Sequence, residues 1–230
     1  MDSLSHLLTT LNVTANIFHN GQYCGNWAVD TSGSHYISFH VVSYGRCYIK
    51  HASETKVHTL NQGDVVLFPH DAKHVITSDE NFQQPINDST SIDFNTLEAD
   101  GTGLVCGYFM HQHPLMSHII DFLPPIIVIH KKQNDATPLT LLTDALLKES
   151  VHQGNGSKLL LTRISECILA LLFRDYLSVE QGVLAALANP KLSPAIRAIF
   201  ETPNFKWTVE SLADTGFVSR TSFASLSNKR

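Results

Sequence analysis

From Gly25 to about Val75 every apolar run is of strand length and is closed by turn residues: NWAVD, TSGS, HYISFHVVS, YG, RCYIK, NQGD, VVLFP. Short runs at this spacing, without helical periodicity, predict an antiparallel sandwich or barrel. Residues 78–103 are polar and rich in Asp, Asn and Ser, which predicts a long loop before a further strand at LVCGYFM. After Leu123-Pro124-Pro125 and a short β-like run, IIVIH, the texture changes. Leu139, Leu142, Ala145 and Leu146 follow the three-four spacing of a helix that ends between His152 and Gly156. Ser157 then reads as the N-cap of a longer helix, whose Leu160, Leu161, Ile164, Ile168, Leu171 and Leu172 form one apolar stripe. That stripe serves either core packing or a homodimer seam.

The last stretch begins at Asn189-Pro190 with a short helix, SPAIRAIFE, and a turn, TPNFKW. TVESLADTG follows as a helix closed by Gly216, and Ser219 caps a second helix, SRTSFASL, which together outline a helix-turn-helix. Thr208 with Ser211 three residues on is a poor match to a capping box, although Glu210 places an acid in the first turn.

With 230 residues, 43% of them hydrophobic, the chain suffices for two modest domains. No apolar run is long enough to span a membrane, and the N-terminus MDSLSHLLTTLNV lacks a basic stretch before an apolar core, so a cytoplasmic protein is expected. There Cys24, Cys47, Cys106 and Cys167 are expected as reduced thiols or metal ligands. All but His152 of the thirteen histidines precede residue 131, so the histidine enrichment belongs to the β-rich part. The net charge is -5, yet beyond Pro190 the residues Lys191, Arg197, Lys206, Arg220, Lys229 and Arg230 outnumber Glu201, Glu210 and Asp214. A basic tail is compatible with phosphate contacts.

Two passages together resemble a known family. Gly63-Asp64-Val65-Val66-Leu67-Phe68-Pro69-His70-Asp71-Ala72-Lys73-His74 is similar to the second cupin motif, and Phe39-His40-Val41-Val42 with Gly45 resembles the strand and turn of the first. Trp207-Thr208-Val209-Glu210-Ser211-Leu212-Ala213, then Gly216, Ser219-Arg220 and Phe223, resembles the first helix-turn-helix of AraC-type transcription regulators. Cys106-Gly107-Tyr108-Phe109, Leu123-Pro124 and the lead-in at Pro190 stand in the order of regulators with a cupin sensor. The resemblance implies an α+β chain: a cupin-like antiparallel β-barrel over residues 1–130, a helical linker or dimerisation segment over 131–188, and a partial helix-turn-helix over 189–230. It implies that Ser219, Arg220 and Thr221 lead the helix that enters DNA. AraC-type domains carry two such units, whereas this chain stops at Arg230 near the end of the first. Ser225 and Ser227 also stand where the family has an arginine and an aromatic. A truncated DNA-reading segment with impaired DNA binding is therefore expected.

The resemblance also orders the site. Ser38 falls where cupin enzymes carry a metal-binding glutamate, and only His35 lies near the expected histidine pair, so the usual iron or manganese centre is not supported. In the cupin arrangement Cys24, His40, His74 and Cys106 would instead meet at one barrel mouth, and two thiolates with two imidazoles suit tetrahedral zinc. His111 and His113 have metal-like spacing but sit in a loop. His51, His58 and His70 read as surface or turn residues, Cys47 as core and Cys167 as packing on the helix stripe. The function expected is sensing of a small-molecule or metal effector by a homodimeric regulator, without membrane contact and without enzymatic activity. DNA is a partner only through a complete helix-turn-helix domain. The alternative is a metal-dependent cupin enzyme of dioxygenase or isomerase type, against which stand the missing glutamate and the lack of a nucleophile-base pair.

Overall fold

A computed structural model describes residues 12–52, 55–86, 91–92, 101–111, 116, 119–121, 123–132, 136–152, 154–179, 186 and 189–227. Ten strands come first: β1 (Thr14–Tyr23), β2 (Ala28–Val29), β3 (Ile37–Tyr44), β4 (Arg46–His51), β5 (Val57–Asn61), β6 (Val65–Phe68), β7 (His74–Thr77), β8 (Ser91–Ile92), β9 (Thr102–Met110) and β10 (Ile127–Ile129). Helices α1 (Pro138–His152), α2 (Ser157–Val179), α3 (Ser193–Glu201), α4 (Val209–Thr215) and α5 (Arg220–Ser227) follow. The α+β order expected from the change of texture is the order found. Within the polar stretch read as one loop, Ser91–Ile92 pairs with β1 as a strand.

The strands form two antiparallel sheets, one ordered β10-β6-β3-β9-β1-β8 and the other β2-β7-β4-β5. Val42, Val66, Phe68, Leu104 and Cys106 from the first sheet meet Val29, Cys47, Ile49, Leu60 and Ile76 from the second in one apolar cluster. This cluster packs between the inner faces of the two sheets. Chain corners carry strands from one sheet to the other. At the tightest, Gly45 alone separates β3 from β4 with φ of 72°, and a Cβ there would lie 2.6 Å from the Gly101 carbonyl oxygen.

Nearly every residue of β3, β6 and β9 is buried, not alternate ones. Such a pattern requires cover on both faces. Inside lie His40, Val42 and their cross-strand partners. On the other face Phe39, Val41, Val65, Leu67 and Phe109 line a small apolar gap with Leu146 of α1 and Ser165 and Ile168 of α2. The helices are further tied to β1, where the Ala15 amide donates to Glu166 Oε1 (3.0 Å) and Asn20 Nδ2 donates to the Ser150 carbonyl (3.1 Å). Phe39 pairs directly with Gly107 across the sheet. A Cβ at Gly107 would stand 2.6 Å from the Asn16 carbonyl oxygen and 2.7 Å from the Phe39 ring. Phe39 stacks in turn on Phe109, with ring centroids 4.5 Å apart.

Asp64, in the turn between β5 and β6, is a buried carboxylate with three N–H donors: Asn61 N (2.9 Å), Lys131 N (2.8 Å) and His130 Nδ1 (2.9 Å). Lys131 also pairs through Nζ with Asp144 of α1.

Several local expectations change. Ser157 opens α2, but its hydroxyl donates to the Glu149 carbonyl (3.3 Å) and carboxylate and does not serve as a cap. The apolar face of α2 is turned relative to the expected stripe: Leu161, Ile168, Leu169, Leu172 and Phe173 are buried, whereas Leu160 is 47% exposed. Cys167 is exposed and is no packing residue, because it falls one position ahead of that buried face. No described helix is long and apolar enough to cross a membrane. By contacts the chain groups into two units, residues 14–110 with 124–169, and residues 1–13 with 111–123 and 170–230. These interleave in sequence.

Gly107→Ala is expected to destabilise the protein by about 1–3 kcal/mol, because backbone and a packed ring both oppose the added methyl. Urea melts of the two proteins would check this, and an unchanged midpoint would show that Phe39 can move aside at no cost.

Candidate functional site

One polar line runs through the otherwise apolar lumen. His40 on β3 and His74 on β7 bring their Nε2 atoms to 3.3 Å, and Thr31 Oγ1 lies 3.1 Å from the first and 2.8 Å from the second. Proton accounting orders these contacts. His74 Nδ1 faces the Ala72 carbonyl at 2.8 Å, so it must donate. In the neutral ring Nε2 then carries a lone pair and accepts from the Thr31 hydroxyl, whose oxygen accepts in turn from His40 Nε2–H. That leaves His40 Nδ1 as a bare acceptor, fully buried and with no hydrogen-bond partner among the described residues.

The rings are held by aromatic contacts. Phe68 stacks on His74 at 3.6 Å and 6°, and His51 lies parallel to Phe68 at 6.0 Å. His51 and His74 are cross-strand partners in the β4–β7 ladder. Burial holds His40 well below the ordinary imidazole range, with the His74 and His19 rings adding to the effect. His74 is lowered as well, chiefly by burial, with its Ala72 hydrogen bond and the carboxylates of Asp30 and Asp71 opposing.

Next to this line, Asp71 organises the entrance. Its Oδ2 accepts from the amides of Gly33 (2.9 Å) and His35 (2.6 Å), and its Oδ1 from the Ser38 hydroxyl (2.7 Å). His35 and Asp71 both adopt left-handed backbone, with φ of 62° and 49°. Strain at two facing loop residues is tolerated where such bonds over-determine the geometry.

Of the four expected zinc ligands, the structure unites only the imidazoles. Cys106 is the direct cross-strand partner of His40 but packs into the apolar cluster. Burial pushes its thiol well above the usual range. Cys24 is half-buried beyond the end of β1. Among the described residues no three His, Cys, Asp or Glu side chains are placed to hold one ion, so the two-cysteine, two-histidine cage is not assembled. Where a cupin enzyme has its glutamate, Ser38 is engaged by Asp71. The donor set therefore does not fit the cupin metal centre. Gln112 and His113 of the His111–His113 pair lie outside the described residues.

His51 was expected at the surface and is buried instead, since it lies on the inner parity of β4 with Cys47 and Ile49. Cys47 is core as expected, with burial raising its thiol far above the ordinary value. Thr31 and Asp71 were not anticipated. Asp71 lies within the Gly63–His74 motif, but its partners are set by a loop some 35 residues earlier.

The second unit contains a small core in which Leu192, Ala195, Ala213 and Phe223 are buried, with Leu212, Val218 and Leu226 packed against them. Thr208 and Ser211 do form a reciprocal capping box: Ser211 N donates to Thr208 Oγ1 (3.1 Å) and Thr208 N to Ser211 Oγ (3.0 Å). A serine hydroxyl at the third position can reach back as a longer carboxylate would. Ser219 Oγ accepts from Ser222 N (3.2 Å) and caps α5 as expected. Between the helices it is Phe217, not Gly216, that takes the left-handed turn, with φ of 51°. Gly216 is required for another reason, because its Cβ would come 2.2 Å from the Lys191 carbonyl oxygen. Ser219, Arg220 and Thr221 are all exposed, as are Ser225 and Ser227.

A family model described as Cupin matches residues 2–178. The chain belongs to the cupin family, and with the AraC-like and HTH-type regulators it matches over 97% of its length it is an AraC-type regulator with a cupin domain. It is 25% identical over 236 residues to a putative AraC-like transcription regulator of Streptomyces lividans, covering 97% of this chain and 77% of the relative. To the HTH-type transcriptional regulator AlkR of Acinetobacter baylyi it is 27% identical over 248 residues, covering 98% and 78%. Among solved structures, ToxT from Vibrio cholerae O395 aligns over 93% of this chain and 72% of its own with 7% identity and a TM-score of 0.40.

In this regulator the buried imidazoles fix the sign of the acid response. Unfolded histidine takes up a proton near the ordinary value of 6.5, whereas folded His40, His74 and His19 bind it only at lower pH. Stability is therefore fully present above pH 6.5 and falls as pH drops below it, while the unfolded chain holds more protons. His40→Asn is expected to make the slope of melting temperature against pH shallower between about pH 6.5 and 5, by one proton's worth. A melting series in that window measures it, and an identical slope would contradict the placement of His40.

Proposed function

We propose that the barrel is an effector-sensing domain and that α5 is the DNA-reading helix of this regulator. The observation that carries the first part is the orphaned Nδ1 of His40 at the end of the Thr31–His74 line. A buried unsatisfied acceptor costs stability and adds nothing to packing. Two imidazoles and a hydroxyl in an apolar lumen are thus an expense that folding does not explain, and a bound effector that donates a hydrogen bond would relieve it. Sensing requires that such an effector favour one of two states of the protein. The curated relatives support the same direction by being transcription regulators.

For the second part, the start of a recognition helix is where side chains meet base edges. Arg220 and Thr221 open α5, Ser219 caps it, and all three are exposed. Arg220 supplies a fork suited to guanine or phosphate, and the hydroxyls suit phosphate oxygens.

Sequencing the RNA of cells expressing the protein tests both parts. Transcripts that change on expression should return to baseline with Arg220→Ala, while the melting temperature stays unchanged because that side chain is exposed. His74→Gln should alter the response to growth conditions and leave the set of responding genes the same. A profile indifferent to both substitutions would refute the reading.

A further inference from the structure

Outside the lumen, the face of the four-stranded sheet that turns away from the core carries a pocket of about 340 Å³. Lys50, Val75, Thr77 and Ala28 form its floor, and Phe82 and Ile86 its wall. Small-molecule sites span roughly 300–1,000 Å³, so the space suits a compact ligand. His51 and His74 are among its lining residues, and His74 belongs to the buried line.

The wall is built, not accidental. Asp79 holds its loop by accepting from the amides of Asn81 (2.9 Å) and Gln83 (2.9 Å), and Thr77 Oγ1 donates to the Trp27 carbonyl (2.7 Å) and accepts from Asp79 N (3.0 Å). Phe82 is thereby fixed in a left-handed conformation with φ of 54°. Ile86 is 54% exposed at the rim.

Charge gives the ligand class. Lys50 and Lys73 line the pocket, and no carboxylate does among the described lining residues. The Asp79 oxygens are committed to their own loop, and burial lowers the pKa of His74. Lys50 Nζ lies over the Phe82 ring, 6.0 Å from its centroid, which keeps the ammonium close to an apolar surface. Phosphate is favoured by several convergent N–H groups or an arginine fork, and neither lines this pocket. Two ammonium groups beside an aromatic and aliphatic wall instead suit one carboxylate on an apolar body.

We infer that this pocket binds a small organic carboxylate with an aromatic or branched aliphatic body, its charge between Lys50 and Lys73 and its body against Phe82, Val75 and Ile86. The inference rests on the effector-sensing reading for the meaning of the site, since His74 joins the pocket to the Thr31–His40 line; its chemistry stands apart.

Isothermal titration of the full chain with 2-naphthoate, and with the neutral 2-naphthalenemethanol, tests it. The acid should bind at least about tenfold more tightly than the alcohol, as a charge-assisted hydrogen bond allows. Lys50→Gln and Lys73→Gln should each erase most of that difference, Phe82→Ala should weaken both ligands, and added salt should weaken the acid alone. Equal binding of acid and alcohol, indifference to the lysine substitutions, or no saturation by the acid below ~1 mM would overturn the carboxylate assignment. Failure here with an intact transcript response to His74→Gln would leave the regulator reading standing. Binding without any transcript response would leave the pocket and remove the regulator reading.

Discussion

Burial of the six-stranded sheet on both faces is the constraint from which the rest of the β-rich unit follows. A sheet covered on one side can alternate polar and apolar residues, and it then leaves room for polar chemistry on the open face. Here β3, β6 and β9 have no open face, since one side fills the lumen and the other lies under α1 and α2. The strands must be apolar almost throughout, and each polar residue among them must be satisfied by a specific partner or cost stability. The Phe39–Gly107 contact is the seam of this arrangement, with a ring on one strand lying over a position that admits no side chain on the next.

Against that background His40 is an anomaly with a definite geometry. Its partners are one hydroxyl and one imidazole, and both are arranged by elements of the opposite wall: Thr31 follows β2, and His74 is aimed by the Ala72 carbonyl. Two imidazole nitrogens 3.3 Å apart would be half of a metal site. Cys106 packs within the apolar cluster, and among the described residues no third His, Cys, Asp or Glu side chain joins the pair to hold an ion. The two sheets thus bring two imidazoles and a hydroxyl together inside the apolar cluster as a hydrogen-bonded group.

Much of this was legible in the sequence for reasons that can be named. The Gly63–His74 segment resembles a known motif, and that resemblance placed His74, while parity along β3 set His40 on one face with Ser38 and Val42. The helix-turn-helix was legible because Phe223 and the Ser219 cap are short-range features. Other elements depended on tertiary surroundings. His51 lies next to exposed Lys50 on a strand whose inner face could not be told from composition. Leu160 and Cys167 were misplaced because a helix rich in leucine offers more than one apolar stripe, and only the partner surface selects one. Thr31 sits in irregular chain after β2 with no pattern of its own, and its contact with both rings joins a residue of each sheet.

The buried carboxylate of Asp64 ties together two stretches of chain 66 and 67 residues apart. It receives N–H groups from the last residue of β5 and from the segment that leaves β10 toward α1, where Lys131 goes on to grip Asp144. Neither stretch can slip past the other without stranding a charge away from water. The strand edge and the first helix are therefore obliged to travel together, like a door and its frame sharing one hinge pin, and displacement of the β5–β6 corner is passed to the helical layer rather than absorbed as slack.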